Sequence, residues 1–175
     1  LLGECHMITV DTKHPIAVNS FDHLFPCGAL NDNSTDAEFI HSIMNHFSGR
    51  EIKVLDIGCA GGQFIVDLHN MGNTAVGIEG SNTSTTNSGA NSGGAKNWSE
   101  YANICLFNVD AAKEYKIKDG DVELKFDLIT AWEVIEHIET EELDVFFQNV
   151  YDHLDSDGMF IGTISTIPCY SFLAK

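Results

Sequence analysis

Val54-Leu55-Asp56-Ile57-Gly58-Cys59-Ala60-Gly61-Gly62-Gln63-Phe64 reads as a buried strand ending in an acid, a glycine-rich turn and the start of a helix. Apolar Ile52, Val54, Leu55 and Ile57 suit a parallel strand covered on both faces. Gly58, Gly61 and Gly62 let backbone approach a ligand that any side chain would obstruct. A dinucleotide site wants G-x-G-x-x-G directly after its strand, so that pyrophosphate rests on unpaired helix N–H groups. Asp56 stands there instead, and its carboxylate repels phosphate. The loop suits a ligand that lacks phosphate and carries positive charge.

Four further stretches continue the pattern downstream. Ala75-Val76-Gly77-Ile78-Glu79-Gly80 is a second strand closed by an acid, and Ile104-Cys105-Leu106-Phe107-Asn108-Val109-Asp110-Ala111 is a third. Phe126-Asp127-Leu128-Ile129-Thr130-Ala131-Trp132 reads as a fourth strand, with Glu133-Val134-Ile135-Glu136-His137 after it. Leu154-Asp155-Ser156-Asp157-Gly158-Met159-Phe160-Ile161-Gly162-Thr163 turns into a fifth. Between them lie helical stripes. Thr35-x-x-Glu38 forms a capping box before Phe39, Ile40, Ile43, Met44 and Phe47, and Gly49 ends that segment. A second helix from about Gly62 to Met71 turns Phe64, Ile65, Leu68 and Met71 inward. A third starts at Thr140 as N-cap and buries Leu143, Phe146, Phe147, Val150 and Leu154. Strands alternating with helices imply parallel pairing and right-handed crossovers, with the ligand at the carboxyl ends of the strands.

In this order the segments resemble the motifs of the class I S-adenosylmethionine-dependent methyltransferases of small-molecule type, over about Phe21 to Ser165. The resemblance implies an α/β fold, a doubly wound and mainly parallel sheet with helices on both faces and about five strands present. It implies S-adenosylmethionine as cofactor and S-adenosylhomocysteine as its product. The cofactor contacts it implies are Asp56, Gly58, Cys59, Ala60, Gly61 and Gly62 in the loop, and Glu79 with Gly80 at the ribose hydroxyls. Asp110 with Ala111 falls at the adenine, and Ala131 and Trp132 at the end of the fourth strand. The loop departs from the family pattern in carrying Ala60 where a glycine is usual. Trp132 is read either as one wall of the pocket or as core.

His137, with Glu133 beside it, is the catalytic candidate, because an imidazole titrates near neutrality and serves as general base when the acceptor is a hydroxyl. On a helix, Glu133, Glu136 and His137 would also share one face and offer two carboxylates and an imidazole to a divalent ion. The same letters recur in metal-free relatives, and no metal is assigned.

Composition bounds the remainder. With 175 residues, 43% of them hydrophobic, the chain reads as one domain with enough length for a core. Nine Lys and Arg face twenty-six Asp and Glu, a net charge of −17, so nucleic acid and anionic membranes are disfavoured partners; the only basic cluster runs from Lys113 to Lys118 and Lys125. No apolar run reaches bilayer-spanning length. The five cysteines form no C-x-x-C pair, and a cytoplasmic setting is predicted. The organisation read from these features is an N-terminal segment, residues 1–34, over the cofactor site, a core at 35–165, a flexible polar insertion at 81–97 and a shortened tail at 166–175. The family's last helix and strand pair are not reached by residue 175, which reads either as a fragment of a longer coding sequence or as a shortened protein whose unfinished sheet edge predicts a homodimer or poor stability. Three functions fit: a methyltransferase for a small-molecule acceptor, a non-catalytic or subunit-dependent binder of the same cofactor, and an NAD-linked oxidoreductase on a related fold.

Overall fold

The computed structural model describes residues 7–17, 35–82 and 93–164. Five parallel strands form the central sheet: β2 (Lys53–Ile57), β3 (Thr74–Glu79), β4 (Leu106–Asn108), β7 (Phe126–Trp132) and β8 (Leu154–Thr163), in the order β4-β3-β2-β7-β8. Strand order reverses beside β2, which pairs with β3 on one side and β7 on the other. The loop after β2 therefore opens at the switch point where ligands of such sheets bind.

Period-two alternation sorts the strand residues into two cores. Leu55, Ile57, Val76, Ile78, Ile129 and Ala131 face one side, where they meet Phe146 and Val150 of α4 (Leu143–His153). Val54, Ala75 and Leu128 face the other, against Ile40 and Ile43 of α1 (Ala37–His46), Ile65 and Leu68 of α2 (Gln63–Asn70) and Trp98 of α3 (Gly93–Tyr101). The doubly wound α/β expectation is thus met, with helices on both faces of the sheet.

A second sheet was not read from the sequence. β1 (Ile8–Thr12), β5 (Tyr115–Asp119) and β6 (Val122–Glu123) form an antiparallel ribbon in the order β1-β5-β6. It adds Tyr115, Ile117 and Leu124 to the core on the α4 side. The basic stretch from Lys113 to Lys118 is largely its outer face: Lys116 pairs with Glu123, and Lys118 with Asp11 at 3.6 Å.

Several local expectations need correction. Asp36, not Thr35, caps α1, accepting from the N–H groups of Glu38 and Phe39 at 2.9 and 3.1 Å; a carboxylate satisfies two of the orphan donors at once. Met71 is 55% exposed, because α2 ends at Asn70 and Gly72 turns the chain away with φ +88°. Thr140 opens a single 3₁₀ turn, and α4 starts only at Leu143. On α4, Asn149 and His153 are buried while Phe147 is 45% exposed. The stretch expected as a flexible insertion is helical from Gly93. Residues 18–34, the larger part of the N-terminal segment expected over the cofactor site, and the tail at 166–175 lie outside the described residues. Among the described residues no helix is long and apolar enough to cross a membrane.

Candidate cofactor site at the strand ends

The loop from Gly58 to Gly62 is fixed by its neighbours as well as by its own glycines. The N–H groups of Gly58 and Cys59 both donate to the Ile78 carbonyl, at 2.8 and 3.1 Å, and the Gly62 N–H closes the turn onto Cys59 O at 2.7 Å. Gly58 and Gly62 take φ of +73° and +75°, open to glycine at no steric cost. A Cβ on Gly58 would lie 2.4 Å from Val134, and one on Gly62 2.7 Å from Leu106. These glycines are required by protein packing on top of any ligand clearance. Ala60 is also left-handed, at φ +47°, a conformation that costs an L residue roughly 1–2 kcal/mol.

Glu79 supplies part of what offsets that cost. Its Oε2 accepts from the Ala60 N–H and its Oε1 from the Ser81 N–H, both at 2.8 Å. The acid at the end of β3 thus holds the loop after β2. Burial pushes the Glu79 carboxyl above its ordinary value, against the pull of the Ser81, Ala60 and Gly80 N–H groups.

Asp56 sits one layer deeper. It is 3% exposed, and Thr130, its partner in the β2–β7 register, donates to its Oδ1 at 2.7 Å. Desolvation raises its pKa to about 7, the Thr130 hydroxyl opposes the shift, and the Glu79 charge adds to it. Its side chain is engaged within the sheet by the Thr130 hydroxyl.

The third acid, Asp110, follows β4. Its Oδ1 accepts from the Ala112 N–H at 3.0 Å, and its own N–H donates to His14 O at 2.8 Å. The Ala17 N–H donates to Gly80 O at 2.8 Å. Residues 14–17 thus cross the carboxyl ends of β3 and β4. Asn149 of α4 fixes the segment after Asp110, donating to the carbonyls of Ala111 and Lys113 at 3.0 and 2.7 Å.

At the end of β7, Ala131 is buried and Trp132 is half-buried, its ring edge-on to Phe39 at 5.1 Å; Phe39 in turn lies 5.8 Å from Phe64 at the start of α2. Trp132 therefore packs into an aromatic cluster while standing at the strand end. Glu133 is exposed and left-handed at φ +53°, its N–H held by Thr163. Ile135–His137 is one 3₁₀ turn, so Glu133, Glu136 and His137 do not share the α-helical face that spacing alone suggested. Among the described residues no group of His, Cys, Asp and Glu is arranged to hold a metal ion.

Asn97 and Trp98, which sequence reasoning had placed in or beside a flexible insertion, reach the loop. The Trp98 indole N–H donates to Ala60 O at 2.8 Å, and Asn97 Nδ2 donates to Gly61 O at 3.0 Å and to Gln63 Oε1 at 3.1 Å. Both residues are buried. The signal for them was faint: one large aromatic following a run of Ser, Thr, Asn and Gly.

The donor set suits the ligand that the loop suggested. Carboxylates stand at successive strand ends, and Lys113, three residues after Asp110, pairs with Glu142. Such a set of carboxylates accepts hydroxyl and amino hydrogens and a positive charge. Two cavities of about 280 and 410 Å³ lie elsewhere, one beneath the ribbon beside Tyr115 and His153, the other between α1 and α2.

Comparison with known proteins follows the same line. A family model described as a methyltransferase domain matches residues 33–171. The ubiquinone biosynthesis O-methyltransferase of Pelagibacter ubique is 30% identical over 125 residues, covering 70% of this chain and 47% of that protein. The enzyme of the same name from Bartonella tribocorum is 29% identical over 115 residues, covering 65% and 42%. The chain thus spans less than half the length of these relatives. Among solved structures, an S-adenosylmethionine-dependent methyltransferase from Clostridium acetobutylicum shares the fold with a TM-score of 0.54 at 20% identity, covering 82% of this chain and 54% of that one.

Proposed function

This chain belongs to the methyltransferase domain family, and from that premise we propose that it is an S-adenosylmethionine-dependent methyltransferase acting on a small-molecule acceptor. The observation that carries the proposal is the Glu79 carboxylate at the end of β3, bonded to the Ala60 and Ser81 N–H groups, with Asp110 at the end of the next strand. In this reading Glu79 accepts from the ribose hydroxyls and Gly80 lets the sugar approach. Asp110 and Ala111 receive the adenine, and backbone from Gly58 through Cys59, Ala60, Gly61 and Gly62 borders the amino-acid part. Asp56 lies behind the loop at the end of β2, and Ala131 and Trp132 border the site at the end of β7.

Bound S-adenosylmethionine supplies a methyl carbon already activated by its sulfonium sulfur. The protein's share is orientation, an effect that reaches about 7–11 kcal/mol in model systems, together with a partly dry aromatic wall at Trp132 and Phe39. When the acceptor is a hydroxyl, His137 removes its proton, and Glu133 borders the same turn. The small-molecule acceptor is supported by the similarity to the ubiquinone biosynthesis O-methyltransferases. A non-catalytic binder of the same cofactor is the second reading, favoured by the exposure of Glu133 and His137. Transfer of labelled methyl groups to a panel of phenols and amines separates the two: turnover supports the enzyme, whereas cofactor binding without turnover on any acceptor supports the binder. Dimerisation at the β8 edge, beside exposed Phe147 packed on Phe160, is measured by sedimentation.

A further inference from the structure

We infer that Trp98 and Asn97 are positioning residues for the cofactor loop, and that α3 through them imposes the left-handed conformation that Ala60 would not adopt unaided. The inference rests on the proposed cofactor site and deepens it. Ala60 stands where the family pattern has glycine, yet its φ is +47°. Both polar groups of the residue are held from outside the loop. Its N–H goes to Glu79 Oε2 and its carbonyl receives the Trp98 indole N–H, each at 2.8 Å. The next carbonyl, of Gly61, receives Asn97 Nδ2 at 3.0 Å.

Two anchors on opposite sides of one peptide segment fix its orientation. Glu79 alone could not, because a single hydrogen bond to the N–H leaves the following peptide free to rotate about ψ. Trp98 is 5% and Asn97 6% exposed, so neither donor has water as a ready alternative partner, and each is committed to its loop carbonyl. A glycine in place of Ala60 would enter the left-handed region without help. The clamp from α3 therefore does for this chain what a glycine does by itself, and removing the clamp should matter only while residue 60 is alanine.

That dependence is the test. S-adenosylhomocysteine affinity is measured by calorimetry for the unaltered chain, Trp98→Phe, Ala60→Gly and the double variant, and amide exchange at Ala60 and Gly62 is followed without ligand. Trp98→Phe keeps an aromatic ring but deletes the donor; it is expected to weaken binding about three- to tenfold, the effect of one neutral hydrogen bond, and to speed exchange in the loop. Ala60→Gly should restore the Trp98→Phe protein to within about twofold of Ala60→Gly alone. Unchanged affinity and exchange in Trp98→Phe overturn the inference, and so does a loss that Ala60→Gly does not repair, which would make Trp98 a packing residue only. If Trp98→Phe does not fold, Asn97→Ala in the same cycle replaces it. Exchange that responds to Trp98→Phe in a chain that never binds S-adenosylhomocysteine supports the clamp and overturns the cofactor assignment instead.

Discussion

Replacing Glu79 by alanine should weaken cofactor binding at least as much as it lowers stability. Two terms act on stability in opposite directions. The substitution removes two hydrogen bonds of 2.8 Å to the Ala60 and Ser81 N–H groups, and bonds to a charged group contribute roughly 1.5–3 kcal/mol each. It also removes a carboxylate whose pKa burial holds above its ordinary value, so the folded protein is relieved of a desolvation cost at neutral pH. These largely cancel, and the free energy of unfolding should change by about 1–2 kcal/mol, the ordinary range for a point substitution. Binding has no such offset. Losing the ribose acceptor should weaken S-adenosylhomocysteine by about 1.5–3 kcal/mol, or roughly 10- to 150-fold.

The pH profile adds an independent signature. Because the folded carboxyl titrates above its ordinary value, affinity should fall on acidification earlier than for a solvent-exposed glutamate, and the Glu79→Ala profile should be flatter. Calorimetric titration paired with urea unfolding at several pH values reads both quantities. Unaltered affinity alongside a stability loss of more than about 4 kcal/mol, the range reserved for large structural lesions, would make Glu79 a structural clamp and refute the ribose assignment.

Asp56 should make stability pH-dependent in the opposite sense to an ion-paired carboxylate. Its pKa rises from 3.8 to about 7 on folding. Between those values the folded state holds a proton that the unfolded state has lost, so stability is full below about pH 4 and declines as pH rises through 7. At 1.36 kcal/mol per pH unit the contribution is on the order of 4 kcal/mol, and Asp56→Asn should flatten the curve of unfolding free energy against pH; an unchanged slope would contradict it. Gly77→Ala would bring a Cβ to 2.8 Å from Cys59 Sγ and 2.9 Å from Leu106. It should destabilise by about 1–3 kcal/mol through overpacking, with Cys59→Ala restoring part of the loss in thermal melts. Ala60→Gly should stabilise by about 0.5–1 kcal/mol, since relief of left-handed strain exceeds the entropy cost of glycine; a lower melting temperature would show that the conformation carries no strain.

Much of the fold was legible because its signals are local. The run from Ile52 to Gly62 names a buried strand, its turn and its helix from adjacent residues, and Glu79 and Asp110 fall at strand ends that apolar runs define. The antiparallel ribbon was missed for a physical reason. In Tyr115-Lys116-Ile117-Lys118 the alternation of a half-buried strand is present, but the lysines of its outer face read as a basic cluster, and the partner strand Ile8–Thr12 lies about a hundred residues away. Asn97 and Trp98 were missed because a helix stabilised by side-chain bonds to a distant loop leaves no periodic apolar stripe. Glu133 was misplaced since a left-handed residue breaks the helical spacing that joined it to Glu136 and His137.

Calorimetric titration of the chain with S-adenosylhomocysteine, with NADH as the comparison ligand, bears most directly on the cofactor assignment. Saturable one-site binding of S-adenosylhomocysteine with no heat from NADH is the expected result. Binding of NADH with no response to S-adenosylhomocysteine would contradict it, because the carboxylates at the ends of β2, β3 and β4 would then be serving a ligand that carries the phosphates they should repel.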